Sequence, residues 1–133
     1  MNSTNFHDLS SVVDNFLQKN YPTLRKRAVI DLDFVTRHKI TQLNQRYRNK
    51  NSVTDVLSFP LYSHTELESV SNQASDEPIL LGSLALCRPI ISERAKEEGI
   101  SYQKRLSWTI EHGLKHLLGN AHNPDGSKWF PLT

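Results

Sequence analysis

The sequence predicts one domain of mixed α and β structure over residues 1–133. Two observations support this prediction: apolar residues recur at helical spacing in some segments, and they alternate with polar residues in others. Turn-forming residues separate these segments. With 133 residues the chain can bury one hydrophobic core, but it is too short for two.

The first half of the chain predicts two helices and two strands in alternation. Pro22 follows the first helix, and Thr36 is a suitable N-cap for the second. Because proline cannot donate a hydrogen bond to a neighbouring strand, the strand that reaches Pro60 should lie at a sheet edge or end there. The predicted helices cover residues 6–19 and 37 to about 47, and the strands cover 28–34 and the second half of 53–60.

The second half of the chain predicts a loop, a strand and two helices. Residues 63–78 are polar and acidic without periodicity, which predicts a mobile loop. The segment that follows is apolar enough to form a central strand. Pro89 and Gly99 mark the two ends of a helix, and Ser101 is placed to cap the last one. The strand is predicted over residues 79–87, and the helices over 89–99 and 102–118.

Composition and cysteine content indicate a protein of the cytoplasm. No run approaches the roughly 18 apolar residues that a membrane helix needs, so no membrane partner is expected. Residues 1–8 are polar and lack the pattern of a signal peptide. Cys87 is the only cysteine, which excludes an internal disulfide and favours a reducing compartment. Its apolar neighbours indicate that it packs in the core.

Three histidines lie close together in the last quarter of the chain, with the spacing H-x3-H-x5-H. His112 and His116 are one turn apart on a predicted helix, so both rings lie on one face and can bind one metal ion. Gly119 can end that helix in the left-handed conformation, which lets the chain turn back and bring His122 to the same ion. Three protein ligands leave a fourth position open for water, as in catalytic zinc sites. The alternative is a histidine pair on a solvated helix.

The same helix indicates how the histidines lie relative to the core. Both should border the buried stripe without entering it. Glycine in the stripe should allow a neighbouring backbone to approach closely, and it replaces the glutamate of the H-E-x-x-H zinc proteases. A peptidase of that type is therefore not expected. The predicted stripe consists of Leu106, Ile110, Gly113 and Leu117.

Charge is distributed unevenly along the chain, although the net charge is only +2. Residues 1–60 contain nine Lys or Arg and five Asp or Glu, whereas residues 61–80 contain four acids and neither Lys nor Arg. The basic groups could form a surface that faces phosphates, or they could belong to an ordinary solvated face. The three groups are Arg25–Arg27, Arg37–Lys39 and Arg46–Lys50.

Three segments of the chain stand out as motifs: Leu43–Arg48 followed by T-D-V-L-S-F-P at 54–60, the pair Leu81-Gly82, and H-G-x2-H-x2-G-x2-H at 112–122. In this order they resemble the YbeY family of bacterial metal-dependent endoribonucleases. The resemblance implies an α+β fold, in which helices pack on a small mixed β-sheet and a central helix carries the metal site. It also implies a single-strand-specific endoribonuclease that acts in 16S ribosomal RNA maturation and ribosome quality control.

The resemblance also assigns roles to particular residues. His112, His116 and His122 would bind one zinc ion, and Arg48 would act with His112 and His116 in catalysis. The ion would polarise a phosphoryl oxygen or lower the pKa of bound water, while the arginine would bind the phosphate. RNA and ribosomal proteins would be the partners, and no DNA substrate is expected. The general base stays open, because position 113 is not a glutamate and Glu111 is expected to be solvated. His64 in the predicted loop is the remaining alternative.

The chain departs from the usual family pattern at several positions, one of which is Asn120 in the place of a tyrosine. Lys115 occupies a leucine position, and Ser83 and Ala121 occupy aspartate positions. A cation beside the ligands and the loss of carboxylates should weaken the site, so we expect a weak nuclease. Two alternatives are an RNA- or ribosome-binding relative with an impaired catalytic site, and a zinc hydrolase that acts on another substrate.

Overall fold

Five helices and three strands make up residues 6–118, the part of the chain that the computed structural model describes. This composition confirms the predicted α+β class. The elements are α1 (Phe6–Asn20), β1 (Ala28–Phe34), α2 (Arg37–Arg48), β2 (Val56–Pro60), α3 (His64–Ser71), β3 (Ile79–Leu86), α4 (Arg88–Glu98) and α5 (Tyr102–Leu117).

The three strands form a mixed sheet with the order β1-β3-β2. β1 runs parallel to β3, and β2 runs antiparallel to it. The apolar β3 is therefore central and β2 lies at an edge, as the sequence predicted. Pro60 ends β2 opposite Gly82. At the end of a strand the missing proline N–H removes fewer hydrogen bonds between the strands than it would in the middle.

Each face of the sheet packs against its own set of helices. Leu84 and Val56 belong to the larger core, to which α1 and α5 contribute their apolar faces. Leu57 and Ala85 belong to a smaller core on the other face, together with Ile40 of α2. Of the helices, α5 contacts β2, β3, α1 and α4, so it is the central helix of the described residues.

Local sequence signals account for most of the helix ends. The Thr36 hydroxyl accepts a hydrogen bond from the backbone N–H of Lys39 at 3.1 Å, and Ser101 caps α5 in the same way. Gly99 ends α4 with φ 70°, a left-handed conformation that glycine adopts without strain. No helix among residues 6–118 is both long enough and apolar enough to cross a membrane.

The prediction of a mobile loop over residues 63–78 is wrong, because α3 forms within it. The Ser63 hydroxyl accepts from the Glu66 backbone N–H at 3.2 Å, and the Glu66 carboxylate accepts from the Ser63 N–H at 2.9 Å. These reciprocal bonds form a capping box, which can start a helix even where apolar residues do not recur at helical spacing. Leu67 is the buried anchor of this short helix.

Candidate metal centre

His112 and His116 lie together on α5, one turn apart, as their spacing predicted. Their ring centroids are 4.8 Å apart and the rings are nearly perpendicular, at 84°. His112 is half-buried, but His116 is only 5% exposed. The prediction that both rings merely border the core is therefore wrong for His116, because α5 packs closely enough on β2 and β3 to cover this turn.

The protonation state of His116 suits a metal ligand. Burial, followed by the charges of His112, Arg48 and Lys115, lowers the pKa of His116 to about 4. The imidazole is therefore neutral at neutral pH, which leaves a lone pair available for a metal ion.

The His112 ring offers an independent test of whether the histidine pair suits a metal ion. His112 Nε2 is buried, and it has no hydrogen-bond partner among the residues that the structure describes. A buried nitrogen without a partner costs free energy in a protein interior, and coordination to a metal ion would satisfy it. The donors that residues 6–118 supply here are thus two imidazole side chains, a ligand type that zinc accepts readily.

Arg48 approaches the histidine pair from α2. It is the last residue of that helix, and its Nη1 donates to Asn44 Oδ1 at 3.4 Å. The Asn44 amide in turn donates to the Ser52 carbonyl at 2.9 Å, which ties the helix end to the following loop. The charge of Arg48 is one of the causes that lower the pKa of His116. Arg48 therefore lies within electrostatic range of the histidine pair.

Three residues of the predicted site lie outside the described residues: Gly119, Ala121 and His122. Within residues 6–118 no cluster of three His, Cys, Asp or Glu side chains could hold a metal ion. The residue that follows α5 is tied to the segment after α1, because the Tyr21 hydroxyl donates to the Leu118 carbonyl at 3.0 Å.

Gly113 lets α5 approach the sheet, although not in the predicted way. A Cβ at this position would lie 3.1 Å from side-chain atoms of Leu84 and Val56, so side chains and not a backbone occupy the space. The backbone is engaged through its carbonyl, which accepts from the Ser58 hydroxyl of β2 at 2.8 Å. This contact fixes the turn between the two histidines against the edge strand.

Sequence reasoning missed Asp55, which connects three elements beneath the site. This carboxylate is 1% exposed and accepts from Arg105 at 3.0 Å and from Thr109 at 3.3 Å, both on α5. It also pairs with Arg94 of α4 at 3.1 Å. The available signal was an aspartate inside the otherwise apolar stretch that leads into β2.

The basic groups do not form one shared surface. Arg25 makes two bonds to the Asp14 carboxylate, Arg27 donates to the Gln73 and Glu77 carbonyls, and Arg37 pairs with Glu93. These cations have partners within the protein. The group around Arg48 is the one that lies beside the histidines, and no acid occurs between positions 35 and 54.

The other singled-out residues have distinct positions. Lys115 is exposed, and its charge reaches His116. Glu111 is exposed, as expected. Because Leu84 packs against α5, the adjacent Ser83 side chain points to the opposite face of the sheet. Its replacement of an aspartate therefore does not act directly on the histidine pair.

Comparison with known proteins identifies the family. The family model described as Endoribonuclease YbeY matches residues 2–128. Proteins named Endoribonuclease YbeY from Staphylococcus carnosus, Macrococcus caseolyticus and Staphylococcus saprophyticus are 35%, 38% and 32% identical to this chain over 112, 97 and 104 residues. These alignments cover 83%, 73% and 78% of this chain.

They cover 71%, 60% and 65% of the three relatives, so the chain spans about two thirds of the relatives' length. A solution structure of a Thermotoga maritima protein aligns with a TM-score of 0.47 and 26% identity, over 83% of this chain and 66% of that one. On the family model and the relatives, the chain belongs to the endoribonuclease YbeY family.

Proposed function

We propose that this protein is an endoribonuclease that cleaves single-stranded RNA with the help of one zinc ion, and that residues 1–133 form a single domain for this task. The observation that carries the proposal is the pair of adjacent imidazoles, half-buried His112 and buried His116, on which the Arg48 charge acts. The names of the relatives support RNA as the substrate.

Three histidines would hold the ion: His112 and His116 from α5, and His122 from the sequence that follows. Neutral imidazoles are common zinc ligands, and a set of three leaves a position for substrate. A bound zinc ion supplies Lewis-acid chemistry toward the scissile phosphodiester. The low pKa of His116 supports this assignment, because protons compete little for its ring at neutral pH.

Arg48 would bind the phosphate and offset the negative charge that develops during cleavage. Guanidinium groups bind phosphate oxygens through two parallel hydrogen bonds, which fixes the orientation of the phosphate as well as its position. The Asn44–Ser52 contact holds the end of α2, so Arg48 is carried on an ordered helix terminus. This preorganisation reduces the cost of binding.

We further propose ribosomal RNA as the substrate, at the step of 16S maturation and in ribosome quality control. Ribosomal proteins would be the partners and the cytoplasm the compartment. The support for these assignments is the family membership and the motifs shared with it.

The proposal is tested by zinc analysis together with digestion of single-stranded and double-stranded RNA, with and without a chelator. We expect about one zinc ion per chain, bound by three protein ligands as in other catalytic zinc sites, and cleavage of single-stranded RNA that the chelator abolishes. His116→Ala should lose both zinc and cleavage. His38→Ala, which removes an exposed histidine of α2, is the matched control and should keep both. Full zinc occupancy and cleavage in His116→Ala would contradict the proposal.

A second candidate is an RNA-binding relative with an impaired site, which the Lys115 charge beside His116 favours. Ala121→Asp combined with Lys115→Leu should restore a carboxylate and remove the cation, and it should raise zinc affinity and cleavage together. The two changes are tested singly and combined, because close sites couple. Tight RNA binding without chelator-sensitive cleavage, in the original protein and the double variant alike, would decide for the binding relative.

A further inference from the structure

Three side chains, Asp55, Arg105 and Trp108, form a continuous series of contacts that ends at His112. The Trp108 indole lies parallel to the His112 imidazole, with a centroid distance of 4.9 Å and an interplanar angle of 8°. The Arg105 guanidinium lies 4.4 Å from the Trp108 ring centroid. Arg105 in turn donates to the buried Asp55 carboxylate at 3.0 Å. These contacts run from Asp55, the residue before β2, along α5 to the proposed metal ligand.

The Trp108–His112 contact restrains the torsion that decides where the His112 nitrogens point. The χ2 torsion of histidine is broad, so an imidazole without a partner samples many orientations. A parallel indole at this distance favours one plane of the ring. His112 Nε2 has no hydrogen-bond partner within residues 6–118, so no such bond from this nitrogen fixes the ring there.

The indole itself has a rigid support. The side chains of Arg105 and Asp55 are 6% and 2% exposed, and their ion pair joins α5 to the start of β2. A guanidinium over an indole is a favourable cation–π contact. Trp108 is 49% exposed, so burial of its apolar surface does not by itself explain a tryptophan at this position.

We propose that Trp108 is a positioning residue that holds the His112 imidazole in the orientation for metal binding, with Arg105 and Asp55 as its anchor. This inference rests on the proposed function, since it takes His112 to be a zinc ligand. Histidine ligands are commonly oriented by a hydrogen bond to a neighbouring group. Here a ring stack performs that orientation.

The test measures zinc affinity by calorimetry. All variants carry Trp129→Phe, so that Trp108 is the one tryptophan left of the two in the sequence. Trp108→Leu removes the stack and should weaken zinc binding about tenfold, the lower end for the loss of an orienting partner. Trp108→Phe keeps a flat ring and should recover most of the affinity. Tyr47→Leu removes another exposed aromatic ring, on α2, and should leave zinc affinity unchanged.

Thermal unfolding of the metal-free proteins separates positioning from a structural role. We expect the melting temperature of Trp108→Leu to stay close to that of its parent. If Trp108→Leu and its parent bind zinc with equal affinity, the proposal is overturned. A second measurement needs no substitution at Trp108: binding of Co²⁺ should quench its fluorescence, because the ion binds to the stacked ring. Co²⁺ binding without quenching would overturn the proposal even if Trp108→Leu did not fold.

These results also distinguish the two proposals. If the parent binds zinc and cleaves RNA while Trp108→Leu matches it, the positioning role alone is refuted. If the parent binds no zinc, the proposed function fails and the positioning role fails with it.

Discussion

Acidification should destabilise the metal-free protein through His116. Its pKa in the folded state is about 4, against 6.5 for an ordinary histidine, and burial is the main cause. Between these two pH values the unfolded chain binds a proton at this ring that the folded chain does not. Folding stability therefore rises with pH across this window and falls as the pH drops from 6.5 toward 4. Above the window both states are neutral and the effect vanishes.

The size of the effect follows from the pKa difference. Each pKa unit corresponds to about 1.4 kcal/mol, so the full window corresponds to roughly 3 kcal/mol. Domains of this kind are stable by about 5–15 kcal/mol, so the loss is a large fraction of the total.

Urea unfolding in the presence of a chelator, at several pH values through the window, measures this loss. His116→Gln removes the titrating ring, and its unfolding free energy should change less with pH than that of the parent by about the same roughly 3 kcal/mol. His38→Gln changes an exposed histidine and should follow the parent. Identical pH dependence in His116→Gln and the parent would refute the assignment of a neutral, buried ring.

Three further substitutions test other parts of the structure. Asp55→Ala leaves the buried Arg105 charge without this partner and should cost about 3–5 kcal/mol of stability in urea unfolding, and a loss under about 1 kcal/mol would contradict the role of this ion pair. Gly82→Ala should lower the melting temperature strongly, because φ at this residue is +148° and a Cβ would lie 2.4 Å from the Phe59 carbonyl oxygen. An unchanged melting temperature would refute the claim that this position requires glycine. Arg48→Lys should reduce RNA cleavage at least about tenfold while leaving thermal stability close to the parent, because lysine cannot make the bidentate phosphate contact; unchanged cleavage would remove Arg48 from the site.

The sequence predicted those features that depend on short-range patterns. The central position of β3 followed from its continuous apolar character, and the adjacency of His112 and His116 followed from the helical repeat. Thr36, Gly99 and Ser101 marked helix ends through local hydrogen bonding or backbone freedom. Each of these features is decided within a few residues of the chain.

The features that were missed depend on other information. Among residues 65–71 of helix α3 only Leu67 is buried, so apolar periodicity could not reveal this helix. The capping box of Ser63 and Glu66 was a signal that the sequence did contain. The burial of His116 and the partners of Asp55 depend on contacts between elements far apart in sequence. Asp55 and Arg105 are separated by 50 positions, and nothing local to either one indicates the other.

X-ray absorption spectroscopy of the zinc-loaded protein tests the central claim most directly, because it counts the nitrogen ligands around the ion. The proposed set of His112, His116 and His122 predicts about three nitrogen neighbours at roughly 2.0–2.1 Å, and about two in His116→Ala if any zinc remains bound. A zinc ion surrounded by oxygen alone, or a spectrum that His116→Ala leaves unchanged, would contradict the claim that this histidine pair is the metal centre.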